Sequence, residues 1–412
     1  MPPESARWES IVARFARTVE AAGYGLVLSP MFEDAEVFKR VGESTDVVRK
    51  EMYELTDKGG RQLALRPEGT ASIVRAFVQH RPSIPWKTWY VAPSFRYEHP
   101  QAGRYRQHHQ AGIEIIGVED PDVDVEVIAL AWEFFRGVGL QQVVLRLNSL
   151  GDATCRPAYR QALRDFLEAR RGQLCDEHRA GFDDNPLRVL DCKKPGCVAA
   201  TADAPHQLNY LCPQCEAHFA RVKAGLAALG IPFRIDPRLV RGLDYYTRTT
   251  FELAALALES AQNALGGGGR YDGLVQEMGG PDTPGIGFGI GLERTFLACD
   301  AEGILPARQV APHLDAFVVD FAGGDGARDV TAQLRAAGFR ANRAFDGRSA
   351  KSQLKSADRS GARLALIIGP DEAVAATVAI KDLRAGPGSG QETVARANLI
   401  EEVQRRLATS PA

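Results

Sequence analysis

The 412-residue sequence lacks long apolar runs, and this absence excludes several classes of protein. No stretch approaches the roughly 20 consecutive apolar residues that a membrane-spanning helix requires. The N-terminal segment MPPESARWESIVARF has an early glutamate, Glu4, and no apolar core of signal-peptide length. We therefore expect a cytoplasmic protein with no membrane partner.

An excess of charge is also missing. The chain has 50 Lys and Arg against 52 Asp and Glu, which gives a formal net charge of −2. This balance argues against a protein coated in nucleic acid, although a local basic site is still compatible with it because association follows the local potential. The seven cysteines are an odd number, and a disulfide framework is not expected in a cytoplasmic enzyme.

Two common nucleotide-binding fingerprints are absent as well. No G-x-x-x-x-G-K-[ST] loop occurs, which excludes the P-loop NTPases. The run GIGFGIGLER, Gly285–Arg294, fails the G-x-G-x-x-G spacing and lacks the strand–turn–helix context of a dinucleotide site. A Rossmann oxidoreductase is therefore disfavoured.

The pattern that is present predicts several domains. Residues 1–154 and 231–303 are predicted to form one α+β domain in two parts, because strand signals recur in both. Residues 155–230, rich in cysteine and proline, are predicted to be an inserted subdomain. A Pro- and Ala-rich linker, 304–312, precedes residues 313–412, where strands and helices alternate as in a compact α/β module with a mixed sheet.

Two amphipathic helices are predicted in the first domain, over residues 5–22 and Val123–Gly137, because apolar residues recur there at three- and four-residue steps. Three acids lie at alternating positions near the start of the second helix: Asp122, Asp124 and Glu126. A metal site is one explanation for them. Favourable interaction with the helix N-terminus is the interpretation that we prefer.

Charged residues concentrate in FRYEHPQAGRYRQHHQAGIE, Phe95–Glu114. On an antiparallel hairpin Gln110, Gly112 and Glu114 share one face and would build a polar floor with Arg96, and Gly112 would leave space for a ligand. Several arginines on one concave surface suit a polyphosphate, because guanidinium groups donate in a planar fork to phosphate oxygens. The alternative for any single arginine is a solvated hairpin.

Glycines recur at two-residue spacing in GIGFGIGLER. Gly287, Gly289 and Gly291 would share one face of a strand, with Arg294 at the start of the next helix. A strip of sheet without side chains lets a flat ring lie on the backbone. A further arginine, Arg241, adjoins two tyrosines in RGLDYYTRT.

These segments resemble the motifs of class II aminoacyl-tRNA synthetases. VLSPMFED is similar to motif 1, the charged hairpin to motif 2 and GIGFGIGLER to motif 3. LRPEGT (Leu65–Thr70), RGLDYYTRTTFE (Arg241–Glu252) and GGRYDGL (Gly268–Leu274) are similar to the signatures of the histidyl-tRNA synthetase family. The resemblance covers nearly the whole chain.

The resemblance implies a class II catalytic domain, an antiparallel sheet flanked by helices, with an inserted subdomain and a C-terminal α/β anticodon-binding domain. It implies ATP-dependent ligation of L-histidine to tRNA(His) through a histidyl-adenylate, with release of AMP and diphosphate. Mg²⁺ would accompany ATP, and motif 1 would form the interface of a homodimer.

The same resemblance assigns the ATP site. Arg96 would bind the α-phosphate and, together with Arg241, would be catalytic. Arg104 would contact the terminal phosphates, and Arg294 would lie near the adenine and reach the γ-phosphate. Gly287 and Gly289 would also belong to the ATP site.

The amino acid would be held by residues that contact its α-amino group or surround its imidazole: Glu68, Gly69, Thr70, Gln110, Glu114, Arg241, Tyr245, Tyr246 and Tyr271. A carboxylate and a tyrosine on the two imidazole nitrogens would reject isosteres that lack those groups.

The cysteines allow two interpretations. Cys192-x4-Cys197 and Cys212-x2-Cys215 could together bind a structural Zn²⁺ that stabilises a subdomain with little core. The alternative is a set of free cytoplasmic thiols. Cys175 and His178 form a further C-x-x-H pair nearby, and Cys155 and Cys299 are interpreted as small core residues.

The chain departs from the family at three points. No P-R-G-x-x-D segment precedes the first helix, His99 replaces the arginine of E-R-P in motif 2, and His108 stands where an aromatic residue is common. Three rival functions remain weaker. A regulatory paralogue of the family usually lacks the C-terminal module, a tRNA-binding module without chemistry leaves the arginines unexplained, and neither HIGH nor KMSKS indicates a class I synthetase.

Overall fold

The computed structural model describes residues 1–2, 4–42, 45–183, 185–190, 192–240, 245–258, 263–304, 314–345, 347–385 and 390–408. The chain divides into two compact units, Met1–Val310 and Ala311–Ala412. Among the described residues, no helix has both the length and the apolar character needed to cross a membrane.

The helices described in the first unit are, in chain order, α1 (Glu4–Glu20), α2 (Ala35–Gly42), α3 (Asp46–Arg49), α4 (Thr70–His80), α5 (Pro121–Val138), α6 (Arg156–Glu168), α7 (Asp176–Gly181), α8 (Leu187–Leu190), α9 (Pro195–Ala200), α10 (Pro213–Ala228), α11 (Leu274–Glu277) and α12 (Leu292–Ala301). Short 3₁₀ turns cover Arg171–Gln173 and Gln207–Tyr210.

The strands described in the first unit are β1 (Gly25–Leu26), β2 (Phe32–Asp34), β3 (Tyr53–Thr56), β4 (Gln62–Leu65), β5 (Trp86–Phe95), β6 (Gln107–Ile116), β7 (Val143–Ser149), β8 (Phe233–Ile235), β9 (Thr247–Ala255), β10 (Ala264–Arg270) and β11 (Gly285–Gly291). Eight of them form one sheet in the order β1-β5-β6-β11-β10-β9-β7-β8. The central pairs are antiparallel, and β2, β4 and β3 form a separate small sheet.

The large sheet has one apolar and one polar face, as the alternation of the hairpin predicts. Ile113 and Ile115 of β6 and Phe288 of β11 are buried in the main core. The residues between them, which point to the other face, include Glu114 and the glycines of β11. Register pairs Glu114 with Gly287 and Gln110 with Gly291, so the polar and glycine positions of the two strands lie side by side.

Helices α1 and α5 cover the apolar face, and both predicted helices are confirmed. Ile11, Phe15 and Val19 of α1 are buried in the same core. Helix α5 begins after Asp120, whose side chain accepts a hydrogen bond from Asp122 N, and ends at Gly139, which has a positive φ of 109°. Glycine adopts this left-handed conformation without a Cβ clash, which ends the helix there.

Asp124 lies in the first turn of α5, as the explanation that we preferred requires, and it also has partners in the interior. Its side chain is buried, 2.6 Å from the Arg270 guanidinium and 2.7 Å from Nε2 of His218. The pKa of Asp124 is lowered, because these two partners outweigh the effect of burial. Asp124 therefore links α5 to β10 and α10 in the interior, a role that an acid at a helix start does not reveal.

The inserted segment has a small core of its own. Tyr159, Leu163 and Leu167 of α6 pack in one core with Phe182, which follows α7, and Val189 of α8. Helix α10 packs differently. Its residues Phe219, Val222 and Leu226 belong to the main core, against α5.

The second unit has a mixed sheet with helices. Its described strands are β12 (Ala316–Asp320), β13 (Ala341–Arg343), β14 (Leu364–Ile368), β15 (Thr377–Asp382) and β16 (Glu392–Ala395), and its described helices are α13 (Asp325–Ala336), α14 (Ala350–Arg359), α15 (Pro370–Ala375) and α16 (Leu399–Ala408). The order is β13-β12-β14-β15-β16, with the first three strands parallel and the last two antiparallel to their neighbours. The predicted mixed sheet is confirmed, with β16 as a strand that the sequence pattern did not reveal.

Candidate active site

A cavity of about 590 Å³ lies in the first unit, on the polar side of the sheet. The hairpin β5–β6, strands β10 and β11 and the inserted subdomain all contribute to its walls. Lining residues include Arg96 and Arg104 of the hairpin, Gly289 of β11, Arg294 at the start of α12, and Leu190 and Lys193 of the inserted subdomain. Gln110 also lines the cavity, and Glu114 lies on the same face of β6, fully buried.

Glu114 is held by two hydroxyl donors. Thr70 Oγ1 donates to one carboxylate oxygen at 2.7 Å, and the Tyr271 hydroxyl donates to the other at 2.6 Å. Burial raises the pKa of Glu114 to about 8, and the two hydrogen bonds oppose that rise. Gly287 makes room for this arrangement, since a Cβ on it would lie 1.8 Å from a Glu114 oxygen.

A second buried carboxylate, Glu68, lies at the start of α4. Its oxygens accept from the backbone N–H groups of Thr70 at 2.6 Å and Ala71 at 2.8 Å. A carboxylate suits this position because the first N–H groups of a helix have no partner within the helix. Burial raises the pKa of Glu68, and the hydrogen bonds oppose it. We call Glu68, Thr70, Glu114 and Tyr271 the buried carboxylate network.

The expected role of Gly112 is wrong. The space above it is filled by Tyr90, its partner across β5–β6, because a Cβ on Gly112 would lie 2.5 Å from the Tyr90 ring. Gly69 makes an equally close approach to the same ring. Both glycines therefore accommodate a protein side chain. The register of the β5–β6 hairpin pairs Tyr90 with Gly112. That register was the signal in the sequence that could have revealed Tyr90 as the neighbour of Gly112.

Two further tyrosines, Tyr245 and Tyr246, pack beside Tyr271 of the network. Tyr245 and Tyr246 have ring centroids 4.7 Å apart, and Tyr245 meets Tyr271 edge-on at 6.0 Å. All three are buried. The structure thus brings together the predicted tyrosines with Glu114, while the predicted Arg241 lies outside the described residues.

Several arginines line the cavity. Arg96 Nε donates to the Pro67 carbonyl at 2.9 Å, which fixes the side chain at the end of β5. Arg294 donates from Nε to Gly103 O at 3.1 Å and from Nη1 to Ala264 O at 2.9 Å.

The loop arginine, Arg104, forms an ion pair with Glu98 at 2.6 Å. We call Arg96, Arg104 and Arg294 the arginine wall. Burial, followed by the positive charge of Arg104, lowers the pKa of Arg294. Convergence of like charges in this way creates a site that favours an anion.

The glycines of β11 border both the buried carboxylate network and the arginine-lined cavity. Gly289 lines the cavity, and a Cβ on it would lie 3.7 Å from Gln110 Nε2, so the surface there is open. Gly287 lies against Glu114 instead. Gln110 is held by Ser94, whose hydroxyl donates to its amide oxygen at 3.1 Å.

Sequence reasoning did not identify Glu293 as a residue of the site, and it gave His108 no role there. Glu293, next to Arg294, accepts from His109 N at 3.0 Å and so ties the start of α12 to the hairpin. His108 also lines the cavity, and burial followed by the charge of Arg96 lowers its pKa to about 4. His108 is therefore neutral at pH 7.

The four cysteines predicted to share one metal do not come together. Cys192 and Cys197 group with Cys175 and His178, whereas Cys212 and Cys215 group with Asp152 and Cys155. The predicted ligand set is wrong because spacing along the chain does not show that α7 brings Cys175 and His178 to the first pair. Cys155, interpreted as a core residue, belongs to the second group, and Cys299 is buried in the main core.

Comparison with known proteins identifies the family. Residues 1–295 match the family model of histidyl-tRNA synthetase, and residues 315–406 match that of the anticodon binding domain. The chain belongs to the histidyl-tRNA synthetase family. The predicted class II catalytic domain and C-terminal anticodon-binding domain are thereby confirmed.

Named relatives and solved structures agree with this family. The histidine–tRNA ligase of Desulforudis audaxviator is 46% identical over 411 residues, which cover 98% of this chain and 96% of the relative. That of Saccharopolyspora erythraea is 48% identical over 392 residues, 93% of this chain and 92% of the relative. The crystal structure of apo histidyl-tRNA synthetase from S. aureus has a TM-score of 0.82 at 34% identity and covers 98% of this chain and 97% of its own.

A more distant structure shares the fold alone. It is described as an ATP phosphoribosyltransferase regulatory subunit/histidyl-tRNA synthetase from Bacillus halodurans C, with a TM-score of 0.63 at 19% identity over 90% of this chain and 95% of its own.

Proposed function

We propose that this chain is a histidine–tRNA ligase that couples L-histidine to tRNA(His) through a histidyl-adenylate. The observation that carries the proposal is the fully buried Glu114, bonded to Thr70 and Tyr271, next to a cavity lined by arginines. One region suits an imidazole with two polar nitrogens, and the other suits a triphosphate.

In the amino acid pocket, Glu114 accepts a hydrogen bond from one imidazole nitrogen, and a tyrosine of the pair Tyr246 and Tyr271 contacts the other. Glu68, Thr70 and Gln110 hold the α-amino group, with Gly69 and Tyr245 closing the pocket. The support is the proximity of these side chains on β6, the start of α4 and the end of β10. An amino acid without the two imidazole nitrogens would leave buried polar groups of the pocket unpaired. The loss of binding free energy would then exceed that expected from lost contact area alone.

The second substrate is MgATP, bound by the arginine wall. Arg96 binds the α-phosphate, Arg104 the terminal phosphates and Arg294 the γ-phosphate beside the adenine, whose ring lies on the backbone at Gly289. Arg241 acts with Arg96 at the α-phosphate. The anchored Nε groups of Arg96 and Arg294 support this proposal, because fixed donors stabilise charge without reorganising.

The first step needs no side-chain base. The histidine carboxylate oxygen attacks the α-phosphorus, the bond from that phosphorus to the bridging oxygen breaks, and diphosphate leaves with its electrons. Negative charge on the phosphoryl oxygens is stabilised by Arg96 and Arg241, and placement in line supplies much of the rate. A ribose hydroxyl of the tRNA end then displaces AMP from the adenylate.

The second unit binds the tRNA through basic residues of α14. Lys351, Lys355 and Arg359 are exposed at four-residue steps, which places them on one side of the helix. Arg363 has another role, because it donates to the carbonyls of Leu407 and Arg406. Phosphate contacts from the exposed positions would make tRNA binding salt-dependent.

The protein functions as a cytoplasmic homodimer. Apolar side chains are exposed on the segment around β1 and β2, with exposed fractions of 52% for Leu26, 81% for Leu28 and 49% for Phe32. A concentration of this kind suits burial by a second copy. Sedimentation of the purified chain measures the assembly directly.

A structural zinc is a separate proposal, because it does not depend on the reaction.

The test is histidine-dependent exchange of labelled diphosphate into ATP, followed by aminoacylation of tRNA(His). The wild type is expected to catalyse both, and Arg241→Ala is expected to lower exchange at least ~100-fold because a donor to the transition-state charge is lost. A protein that binds histidine without exchange would instead be a regulatory paralogue.

A further inference from the structure

Four metal-ligating side chains converge in the inserted subdomain. The ligand atoms of Cys175, His178, Cys192 and Cys197 all lie within 4.8 Å of one another. His178 Nδ1 lies 3.1 Å from Cys175 Sγ and 3.9 Å from Cys197 Sγ. This cluster, which we call the C175 cluster, is outside the catalytic residues named above.

These separations fit a tetrahedral metal site. With Zn–S bonds of about 2.3 Å and Zn–N bonds of about 2.0–2.1 Å, neighbouring ligand atoms of a tetrahedron lie roughly 3.4–3.8 Å apart. Thiolate and imidazole ligands favour zinc over magnesium or calcium, which bind oxygen. The Cys175 backbone N–H also donates to Cys197 Sγ at 3.2 Å, a bond of the kind that orients a ligand sulfur.

The ligands come from three short stretches of chain. Cys175 immediately precedes α7, which contains His178, Cys192 follows α8, and Cys197 lies in α9. Helices of four to six residues, such as these, have little stability by themselves. A shared metal would hold them together where the hydrophobic core is small.

We propose that Cys175, His178, Cys192 and Cys197 bind one structural Zn²⁺ ion per chain. Four protein ligands close the coordination sphere, as in structural rather than catalytic zinc sites. The site also bears on the cavity, because Cys192 lines it together with Leu190, Lys193 and Val198. The metal thus stabilises the wall of the cavity that the inserted subdomain supplies.

The second cluster, Asp152, Cys155, Cys212 and Cys215, provides a matched control. The sulfur atoms of Cys155 and Cys215 lie 3.9 Å apart, the same distance as between His178 Nδ1 and Cys197 Sγ in the C175 cluster. Its carboxylate, however, already accepts from Thr154 N at 2.9 Å and lies 3.8 Å from the Arg248 guanidinium. The proposal concerns the C175 cluster and makes no use of this second group.

Zinc content of the untagged full-length chain tests the assignment, measured by atomic emission after exhaustive dialysis. Wild type is expected to retain at least one equivalent, and Cys192→Ser and Cys197→Ser are each expected to hold one equivalent fewer. Cys212→Ser is expected to keep the equivalent that those variants lose. Metal-free wild type, or a zinc content unchanged by Cys192→Ser, would overturn the proposal.

A thiol-protection experiment covers the case in which the serine variants fail to fold. Wild-type protein is alkylated before and after removal of zinc with a chelator, and modification is measured at each cysteine by mass spectrometry. Modification of the partly exposed Cys175 and Cys192 is expected to rise at least tenfold after chelation and to fall again when ZnCl₂ is added back. Equal modification with and without chelator would refute zinc binding at this cluster.

Discussion

The two regions of the candidate site hold their charges in opposite ways. The buried carboxylate network is closed, since both Glu114 oxygens accept hydroxyl hydrogen bonds and both Glu68 oxygens accept backbone N–H groups. The arginine wall is open, because its side chains line a cavity of about 590 Å³ and are anchored mainly through Nε. Each region therefore suits a different task.

This difference shows how one site can combine selectivity for an amino acid with electrostatic attraction of a phosphate ligand. A buried carboxyl with fixed partners penalises any ligand that cannot replace those partners, which yields selectivity. Guanidinium groups at an open surface attract phosphate over a distance but are screened by salt. The comparison predicts that changes in the network affect histidine, and that changes in the wall affect ATP.

The largest effect is expected for Glu114→Gln. The amide keeps the shape but presents an N–H₂ group to a hydroxyl donor and removes the acceptor for the imidazole. We expect kcat/KM for histidine in diphosphate exchange to fall at least ~100-fold. Glu133→Gln, an exposed position on α5, is the matched control and should retain wild-type exchange. Equal activity of both variants would contradict the role of Glu114.

A pair of glycine variants separates the two regions on one strand. Gly287→Ala places a Cβ 1.8 Å from a Glu114 oxygen and 2.4 Å from Ile113 O, so the network must shift. Gly289→Ala makes only ordinary van der Waals contacts, with Gln110 Nε2 at 3.7 Å and the Tyr90 hydroxyl at 3.9 Å.

We expect Gly287→Ala to lower the melting temperature by several degrees, since overpacking of a core costs ~1–3 kcal/mol. Gly289→Ala should melt like the wild type and raise the KM for ATP at least ~3-fold, because the methyl group occupies the surface proposed for the adenine. Melting curves and exchange kinetics measure both. A lower melting temperature for Gly289→Ala than for Gly287→Ala would contradict the assignment of Gly287 to the buried network and Gly289 to the open cavity.

A smaller effect is expected at the exposed edge of the wall. Arg104→Ala should raise the KM for ATP by about 3- to 10-fold at low salt, and the difference from wild type should shrink as salt increases, because the side chain is 45% exposed and screened. Arg106→Ala is the control in the same loop. Its guanidinium lies over the Tyr97 ring at 4.7 Å. A salt-independent loss would show that Arg104 acts structurally through Glu98.

The last prediction concerns pH and stability. The folded-state pKa of Glu114 is about 8, above its ordinary value of 4.5, so the folded protein holds a proton that the unfolded chain has released between these pH values. The associated stability is present below pH ~4.5 and is lost as pH rises through about 8. Thermal unfolding should therefore show wild type losing stability relative to Glu114→Gln across this window. A pH-independent difference would mean that Glu114 does not titrate as described.

Sheet periodicity predicted one member of the network, Glu114, whereas Glu68, Thr70 and Tyr271 were assigned by the resemblance to the family. Alternation along β6 placed Gln110 and Glu114 on one face, and alternation along β11 placed its glycines on one face of that strand. The register of the two strands pairs Glu114 with Gly287. Gly112 was misinterpreted because its empty side is filled by Tyr90 from the neighbouring strand. The pattern of one strand shows where space exists and does not show which side chain occupies it.

Longer-range partners were not predictable in the same way. Asp124 pairs with Arg270, 146 residues away, and with His218, 94 residues away, and nothing near Asp124 in the chain signals either contact. The cysteines show the same limit, since regular spacing led to a ligand set that the fold divides between two clusters. Local patterns determine faces of strands and helices, whereas tertiary packing decides which distant side chains meet.

Separate titration calorimetry of L-histidine and MgATP tests the division between the two regions most directly, with wild type, Glu114→Gln and Arg104→Ala. We predict that Glu114→Gln weakens histidine binding at least ~100-fold and leaves MgATP affinity within ~2-fold, while Arg104→Ala weakens MgATP alone. Loss of both ligands to a similar extent in either variant would contradict the account, because it would show that the network and the wall act as one unit.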